Sequence, residues 1–325
     1  MTGRDTTSTT TGTTTTTRVH ASAAGTWKLG DLEVNRIGFG AMRLTQTGPA
    51  LRADAVPSDR GQAIGILRQA VELGVNHIDT AAFYFSSRRS ANELINHALA
   101  PYADDLVIAT KVGPWRDATG EWGAWATTAK ELRGQVEENL RQLGRDHLDL
   151  VNLRVRGPGS VADRFGALAG LREAGLIRHL GLSNVTPEQL AEAREIAPVV
   201  CVQNPYGIGT HADQDEFVDH CGEQGIAFVP FYAIAAAGRE AGAAGAAGAA
   251  GAAGGESEEL LAVARAHDAS PAQIRLAWTL HRGPHVLAIP GTGNPAHLRS
   301  NIAAATLTLT PSDLTTLSAA HARGE

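Results

Sequence analysis

Residues 147–184 read HLDLVNLRVRGPGSVADRFGALAGLREAGLIRHLGLSN, and this stretch decides the fold. His147 to Arg154 is a short apolar run rich in branched side chains, the pattern of a strand buried on both faces. From Ser160 to Ala174 the period changes. Val161, Phe165, Leu168 and Leu171 recur at three- and four-residue spacing, which predicts an amphipathic helix that Gly175 then stops. A second strand follows from Ile177 to Leu182. Strand, helix and strand in this order require a parallel pair with a right-handed crossover. Both strands end in polar side chains, Arg154 on the first and Ser183 with Asn184 on the second.

The same unit repeats along the chain. Further strands are predicted at Arg36 to Gly40, Val75 to Thr80, Leu106 to Thr110, Val199 to Asn204, Ile226 to Phe231 and Val286 to Ile289, making eight. Helical patterns such as Arg60 to Leu73 and Thr128 to Leu143 lie between them. Thr186-Pro187-Glu188-Gln189 and Ser270-Pro271-Ala272-Gln273 carry an N-cap hydroxyl, Pro at the first helical position and Gln three residues past the cap, so both predict capping boxes. Eight βα units most economically close into a (β/α)8 barrel, a TIM barrel. The alternative, an open doubly wound sheet binding a dinucleotide at its first turn, needs G-x-G-x-x-G. Gly38-Phe39-Gly40-Ala41-Met42-Arg43 lacks the third Gly.

The chain has 325 residues, enough for either two ordinary domains or one barrel. Two tracts cannot contribute a core. Eleven of the first seventeen residues are Thr, and Gly recurs at every third position from Gly242 to Gly254 within an Ala/Gly run. We therefore expect residues 1–26 to be a disordered extension and 27–325 a single barrel with a flexible loop at about 235–255. With 28 basic and 34 acidic residues the net charge is −6, which offers no footprint for nucleic acid or anionic lipid. No apolar signal region or stretch of eighteen apolar residues occurs, so a membrane partner is not expected and the expected compartment is the cytoplasm. Cys201 and Cys221 have no metal-ligand spacing and are read as packing residues, while Asp213, Asp215 and Glu216 are read as an acidic helix start. No metal is expected. A monomer or weak homo-oligomer is the expected state.

In such a barrel, chemistry sits on side chains at the C-terminal strand ends. Those ends carry Asp79 with Tyr84 just beyond, Lys111, Arg154, Ser183 and Asn184, Gln203, Phe231, and Thr292. A tyrosine hydroxyl with pKa near 10 is a sluggish acid, and an ammonium within about 4 Å lowers that pKa by favouring the phenolate. Asp79 would hold Lys111 in place, and the trio would protonate a carbonyl oxygen while hydride reaches its carbon. His77 alternates with Ile78 and is read as an interlayer histidine.

Asn76–Tyr84, Thr110-Lys111-Val112-Gly113, Gly181-Leu182-Ser183-Asn184, Val202-Gln203-Asn204 and Ile289-Pro290-Gly291-Thr292 together resemble the aldo-keto reductases. The resemblance runs from about Trp27 to the C-terminal helix. It implies an NADPH-dependent carbonyl reductase, with NADH not excluded, in which Tyr84 is the general acid and Lys111 and Asp79 tune it. By the same resemblance Ser183, Asn184 and Gln203 grip the nicotinamide carboxamide, Phe231 stacks on its ring, and Thr292, His297 and Asn301 hold the 2′-phosphate of the adenosine.

Two departures sharpen the expectation. The family usually carries His at the end of the fourth strand, where this chain has Arg154, which donates hydrogen bonds but cannot shuttle a proton. Val151-Asn152-Leu153-Arg154, with Ser183–Pro187 and Ala296–Arg299, looks like the bacterial pyridoxal reductase branch of the family. That implies a small-molecule aldehyde substrate, pyridoxal, reduced to pyridoxine. Trp115, Trp122 and Trp125 are candidate walls for its aromatic ring. The alternatives are a broad-specificity aldehyde or ketone reductase and a regulatory barrel subunit that binds cofactor with little turnover. The second departure is Ala233-Ile234-Ala235-Ala236 where relatives carry a Ser-Pro-Leu-Gly-like turn, which predicts fast cofactor release.

Overall fold

The computed structural model describes residues 19–48, 51–52, 54–234 and 256–324. The Thr-rich start as far as residue 18 and the Ala/Gly run at 235–255 lie outside the described residues. Seven parallel strands make one sheet: β1 (Phe39–Gly40), β2 (His77–Asp79), β3 (Val107–Val112), β4 (Leu148–Arg154), β5 (Ile177–Ser183), β6 (Val199–Gln203) and β7 (Ala227–Phe228). Their spatial order follows the chain without a reversal, as a barrel requires and a doubly wound sheet forbids.

Closure comes from residues 286–289, which pair on both sides. Phe228 bridges Val286, and Ile37 bridges Ala288. The amide of Leu287 donates to Phe228 O at 2.9 Å and that of Gly38 to Ala288 O at 2.8 Å. The eighth predicted strand is thus present as single bridges rather than a continuous ladder. Pro290 has no N–H to extend it.

The periodicity inside β4 sets what faces inward. Leu150, with Val107, Ala109, Cys201, Ala227, Val229 and Leu287, fills the barrel together with Leu29 and Val34. The last two belong to an antiparallel hairpin, Thr26–Leu29 paired with Leu32–Asn35. A second, larger core lies between sheet and helices, where Phe39, Phe165, Ile78 and Leu182 are completely buried. Each such side chain contributes about 1.5–3 kcal/mol.

The helices around the sheet are α1 (Arg60–Glu72), α2 (Ala91–Leu99), α3 (Ala129–Leu143), α4 (Ala162–Glu173), α5 (Pro187–Arg194), α6 (Asp215–Glu223), α7 (Glu258–Ala266), α8 (Pro271–His281), α9 (Pro295–Ala303) and α10 (Pro311–Arg323). Both predicted capping boxes form, at Thr186 with Gln189 and Ser270 with Gln273. Gly144 ends α3 at φ +64°, and the amide of Asn96 fills the space a Cβ would need.

One boundary differs from the sequence reading. Chain structure begins before residue 26, in a single 3-10 turn at Ala21–Ala24. Ala21 is fully buried and its amide donates to Leu73 O at 2.8 Å. Arg36 fastens this turn to the closing segment, donating to Ala24 O at 3.2 Å, Val286 O at 3.2 Å, Gly283 O at 2.6 Å and also to Leu280 O. Small residues suffice here because backbone groups supply the bonds. Among the described residues no helix is long and apolar enough to cross a membrane.

Candidate active site

Strand register brings the predicted polar ends level with one another. Arg154 pairs with Ser183 and Ser183 with Gln203, while Lys111 pairs with Asn152 and Asp79 with Gly40. The side chains meet around one carboxylate. Lys111 Nζ donates to Asp79 Oδ1 at 2.5 Å, and Gln203 Nε2 donates to Asp79 Oδ2 at 2.6 Å. Lys111 also reaches Thr80 O at 3.2 Å. Both members of the ion pair are about 5% exposed, so the attraction acts with little water to screen it.

A buried chain of amides and hydroxyls fixes the two strands that carry this pair. Thr80 and Thr110 follow and precede Asp79 and Lys111 and point outward. Thr80 Oγ1 donates to Asn92 Oδ1 at 2.8 Å, Asn92 Nδ2 to Asn139 Oδ1 at 2.9 Å, and Thr110 Oγ1 to the same oxygen at 2.6 Å. Asn92 lies on α2 and Asn139 on α3. The helices therefore set the height of both strands.

Tyr84 lies in the loop after β2, buried, with its ring centroid 5.0 Å from Lys111 Nζ. Here the electrostatics correct the sequence reading. Burial pushes the Tyr84 hydroxyl above the usual phenol range, and Lys111 and Arg154 pull it back only in part while the Asp79 charge adds to the rise. The expected net lowering is not found, because desolving a phenolate outweighs a cation already committed to a carboxylate. Burial works against the charge on Lys111, but Asp79 and Tyr84 outweigh it and hold the ammonium above its ordinary range. Tyr84 is accordingly a protonated donor beside a permanent cation.

Arg154 is half-buried at the end of β4. Its Nη1 donates to Ser183 Oγ at 3.1 Å, and its guanidinium carbon stands 4.7 Å from the Phe231 ring centroid. Burial lowers its pKa, opposed by Tyr84, Tyr232 and Asp79. Asn184 is exposed at φ +60° with Nδ2 on Val155 O at 3.0 Å. Gln203 commits its N–H group to Asp79, which leaves its buried Oε1 without a partner among the described residues. Thr292 accepts from the Asn294 amide at 3.0 Å, His297 is exposed on α9 and Asn301 is buried on the same helix, one turn further on. None of these three shares a hydrogen bond with the Asp79 cluster.

The three tryptophans differ in burial, while a bridge between Arg116 and Trp122 and the Gly123 amide on Trp115 O at 2.9 Å fold their loop back on itself. Trp122 packs at 5.9 Å from Phe83, whose ring meets Tyr84 edge-on at 5.1 Å. Trp115 is 50% exposed and covered on one side by Gly123, and Trp125 is half-buried. Beneath Trp122 lies a residue the sequence reading passed over. Arg116 is buried, its Nε donates to Gly120 O at 2.9 Å, and its guanidinium lies 5.7 Å from the Trp122 ring. It also reaches the backbone on both sides of Tyr84. Among the described residues no group of three potential metal ligands occurs, and both cysteines are buried free thiols.

Comparison with known proteins places this geometry. The Aldo/keto reductase family model matches residues 36–322. Pyridoxine 4-dehydrogenase of Escherichia coli K12 is 45% identical over 304 residues, covering 91% of this chain and 98% of that protein. A thermostable aldo-keto reductase crystallised with the inhibitor epalrestat superposes with a TM-score of 0.72 at 27% identity, covering 91% of this chain and 99% of its own. An aldo/keto reductase from Klebsiella pneumoniae, crystallised with NADP and acetate, gives 0.70 at 25% identity over 89% and 92% of the two chains. A closed eight-membered barrel whose strand ends gather Asp79, Lys111 and Tyr84, matched by the family model over nearly its whole length, makes this chain a member of the aldo/keto reductase family of oxidoreductases.

Proposed function

We propose that this protein reduces pyridoxal to pyridoxine with NADPH, with Tyr84 as the proton donor. The observation that carries the reading is the Asp79–Lys111 pair at 2.5 Å beside a buried, protonated Tyr84, in a chain 45% identical to a protein named for oxidising pyridoxine. The residues fit a nicotinamide. Gln203 Oε1 is a buried acceptor without a donor, which suits the N–H group of a carboxamide, and Ser183 and Asn184 flank it on the neighbouring strand end. Phe231 offers a ring face for stacking, and Thr292, His297 and Asn301 would hold the adenosine 2′-phosphate. When bound, the cofactor supplies hydride for the carbonyl carbon.

The chain's own part is proton delivery and charge control. The Tyr84 hydroxyl gives its proton to the carbonyl oxygen as negative charge builds there, and the resulting phenolate lies beside Lys111 and near Arg154. Solvent then returns the proton. Because Lys111 stays charged throughout, the phenolate is stabilised at the moment it forms. Trp122, held against Phe83, would wall the aromatic ring of the substrate, a reading supported by its packing toward Tyr84 through that ring.

The test follows NADPH absorbance with pyridoxal and with aliphatic, aromatic and sugar aldehydes, using wild type and Tyr84→Phe. Reduction of pyridoxal, lost by at least about a hundredfold in the variant while NADPH still binds, is the expected result. Full activity in Tyr84→Phe would overturn the proton donor. Turnover of other aldehydes without pyridoxal would overturn the substrate alone.

A further inference from the structure

We propose that Arg154 is a specificity-determining residue that recognises a second oxygen on the substrate, so that the preferred class is aldehydes bearing a hydroxyl or oxyanion on the carbon next to the one that carries the carbonyl. The assignment rests on the carbonyl-reduction reading above and extends it to the chemistry of recognition.

The first observation is an excess of donors. A guanidinium has five N–H groups in a rigid fork, and among the described residues Arg154 spends one, on Ser183 Oγ. The second is charge. Among the described residues no carboxylate lies within ion-pair distance of Arg154, and the Asp79 carboxylate has both oxygens engaged by Lys111 and Gln203. Lys111 is balanced by Asp79, so among the described residues Arg154 is left as an uncompensated cation of the rim, half-buried against the Phe231 face. Such a cation lacks part of its hydration and favours an anionic partner.

The third observation is position. Arg154 ends the strand that pairs with the one carrying Lys111, and Lys111 Nζ lies 5.0 Å from the Tyr84 ring centroid, so the guanidinium borders the space in which a carbonyl oxygen would accept from Tyr84. Tuning of the acid is already supplied by Lys111. What a guanidinium adds, and an imidazole with its single spare N–H cannot, is a planar pair of donors for two oxygens at once. In an aromatic aldehyde with a neighbouring hydroxyl, the two oxygens project from the same edge of the molecule, separated by three carbons. Pyridoxal carries its ring hydroxyl at this position, and its ring nitrogen takes up the hydroxyl proton readily.

The experiment compares kcat/KM with NADPH for two matched pairs, 3-hydroxypyridine-4-carbaldehyde against pyridine-4-carbaldehyde and salicylaldehyde against benzaldehyde. Wild type is expected to favour the hydroxylated member by at least about tenfold, the worth of one charged hydrogen bond. The ratio should fall to near one in Arg154→Met and to an intermediate value in Arg154→Lys, which keeps the charge but not the fork. Because each ratio is taken within one variant, losses of folding or of overall rate cancel. For a variant with turnover too slow to measure, the same ratio is read from binding of the matching alcohols to the enzyme–NADP+ complex by tryptophan fluorescence. Turnover with a wild-type ratio near one, or a ratio that survives in Arg154→Met, overturns this inference and leaves the reductase reading standing. Absence of NADPH oxidation with all four aldehydes overturns the reductase reading itself.

Discussion

Arg116 Nη1 donates to the backbone carbonyl of Phe85 at 2.6 Å, and the same nitrogen reaches Phe83 O at 3.2 Å. One guanidinium thus grips the chain on either side of Tyr84, and it stands 4.4 Å over the Phe85 ring. We predict that Arg116→Gln lowers kcat by about ten- to a hundredfold, the cost of misplacing a reacting group by roughly 1 Å. KM for NADPH should stay unchanged, and added guanidinium ion should restore part of the rate. A variant with wild-type kcat, or one whose whole loss is in KM for NADPH, would show that the loop holds Tyr84 without this clasp.

Removing the Asp79 charge leaves Lys111 buried without a countercharge, with Thr80 O still accepting from it at 3.2 Å. Asp79→Asn is expected to cost about 3–5 kcal/mol of stability, read as a Tm lower by several degrees. Adding Lys111→Met should recover much of that stability while activity stays lost, since the two residues act as a pair. A double variant no more stable than the single one would mean that the 2.5 Å bond contributes little to the fold.

Acid should weaken the protein through His77. Burial inside the barrel pulls its pKa from 6.5 to about 4, opposed only in part by the backbone of Asn35. The folded state therefore keeps it neutral where the unfolded chain binds a proton. Its stability contribution is whole above about pH 6.5 and is lost as pH falls toward 4, by about 3 kcal/mol in total. Urea midpoints of wild type and His77→Leu at pH 7 and pH 4.5 check this, the variant showing the shallower decline. Equal declines would place the acid sensitivity elsewhere, as at His285 and His321, both lowered chiefly by burial.

The closing seam leaves no room for side chains. A Cβ on Gly40 would lie 2.6 Å from Ile289 O, and one on Gly291 would lie 2.4 Å from Gly40 O. Gly40→Ala should cost about 1–3 kcal/mol and speed hydrogen exchange at the amides of Gly38 and Ala288. Unchanged exchange at both would show that the seam yields without loosening.

The barrel was legible because buried parallel strands read as apolar runs and their helices carry caps. Leu148–Arg154 and Ile177–Ser183 end within a residue of expectation. Phe39–Gly40 and Ala227–Phe228 are shorter than predicted, since apolar pattern reports burial and not the length of a hydrogen-bonded ladder. Asp79, Lys111 and Gln203 were readable as inward positions at strand ends. Arg116 was not, because its bonds go to backbone carbonyls, which leave no complementary side chain in the sequence. The Thr80–Asn92–Asn139–Thr110 chain escaped for a related reason: amides on helices read as ordinary surface residues until packing buries them. The net pKa of Tyr84 depends on how much water the loop excludes, which no spacing of residues reports.

The bridges at Phe228–Val286 and Ile37–Ala288 have a bearing on biosynthesis. The partner of Ile37 is made some 250 residues after it, so at ribosomal speeds of about 5–20 residues per second the nascent chain spends more than ten seconds as an unclosed sheet. During that interval the edge at Phe39–Gly40 is open to pairing with other chains, joined by that at Ala227–Phe228 once it has been made. Their brevity leaves few free backbone groups to offer, and a premature stop before Val286 would release a product with both edges permanently bare.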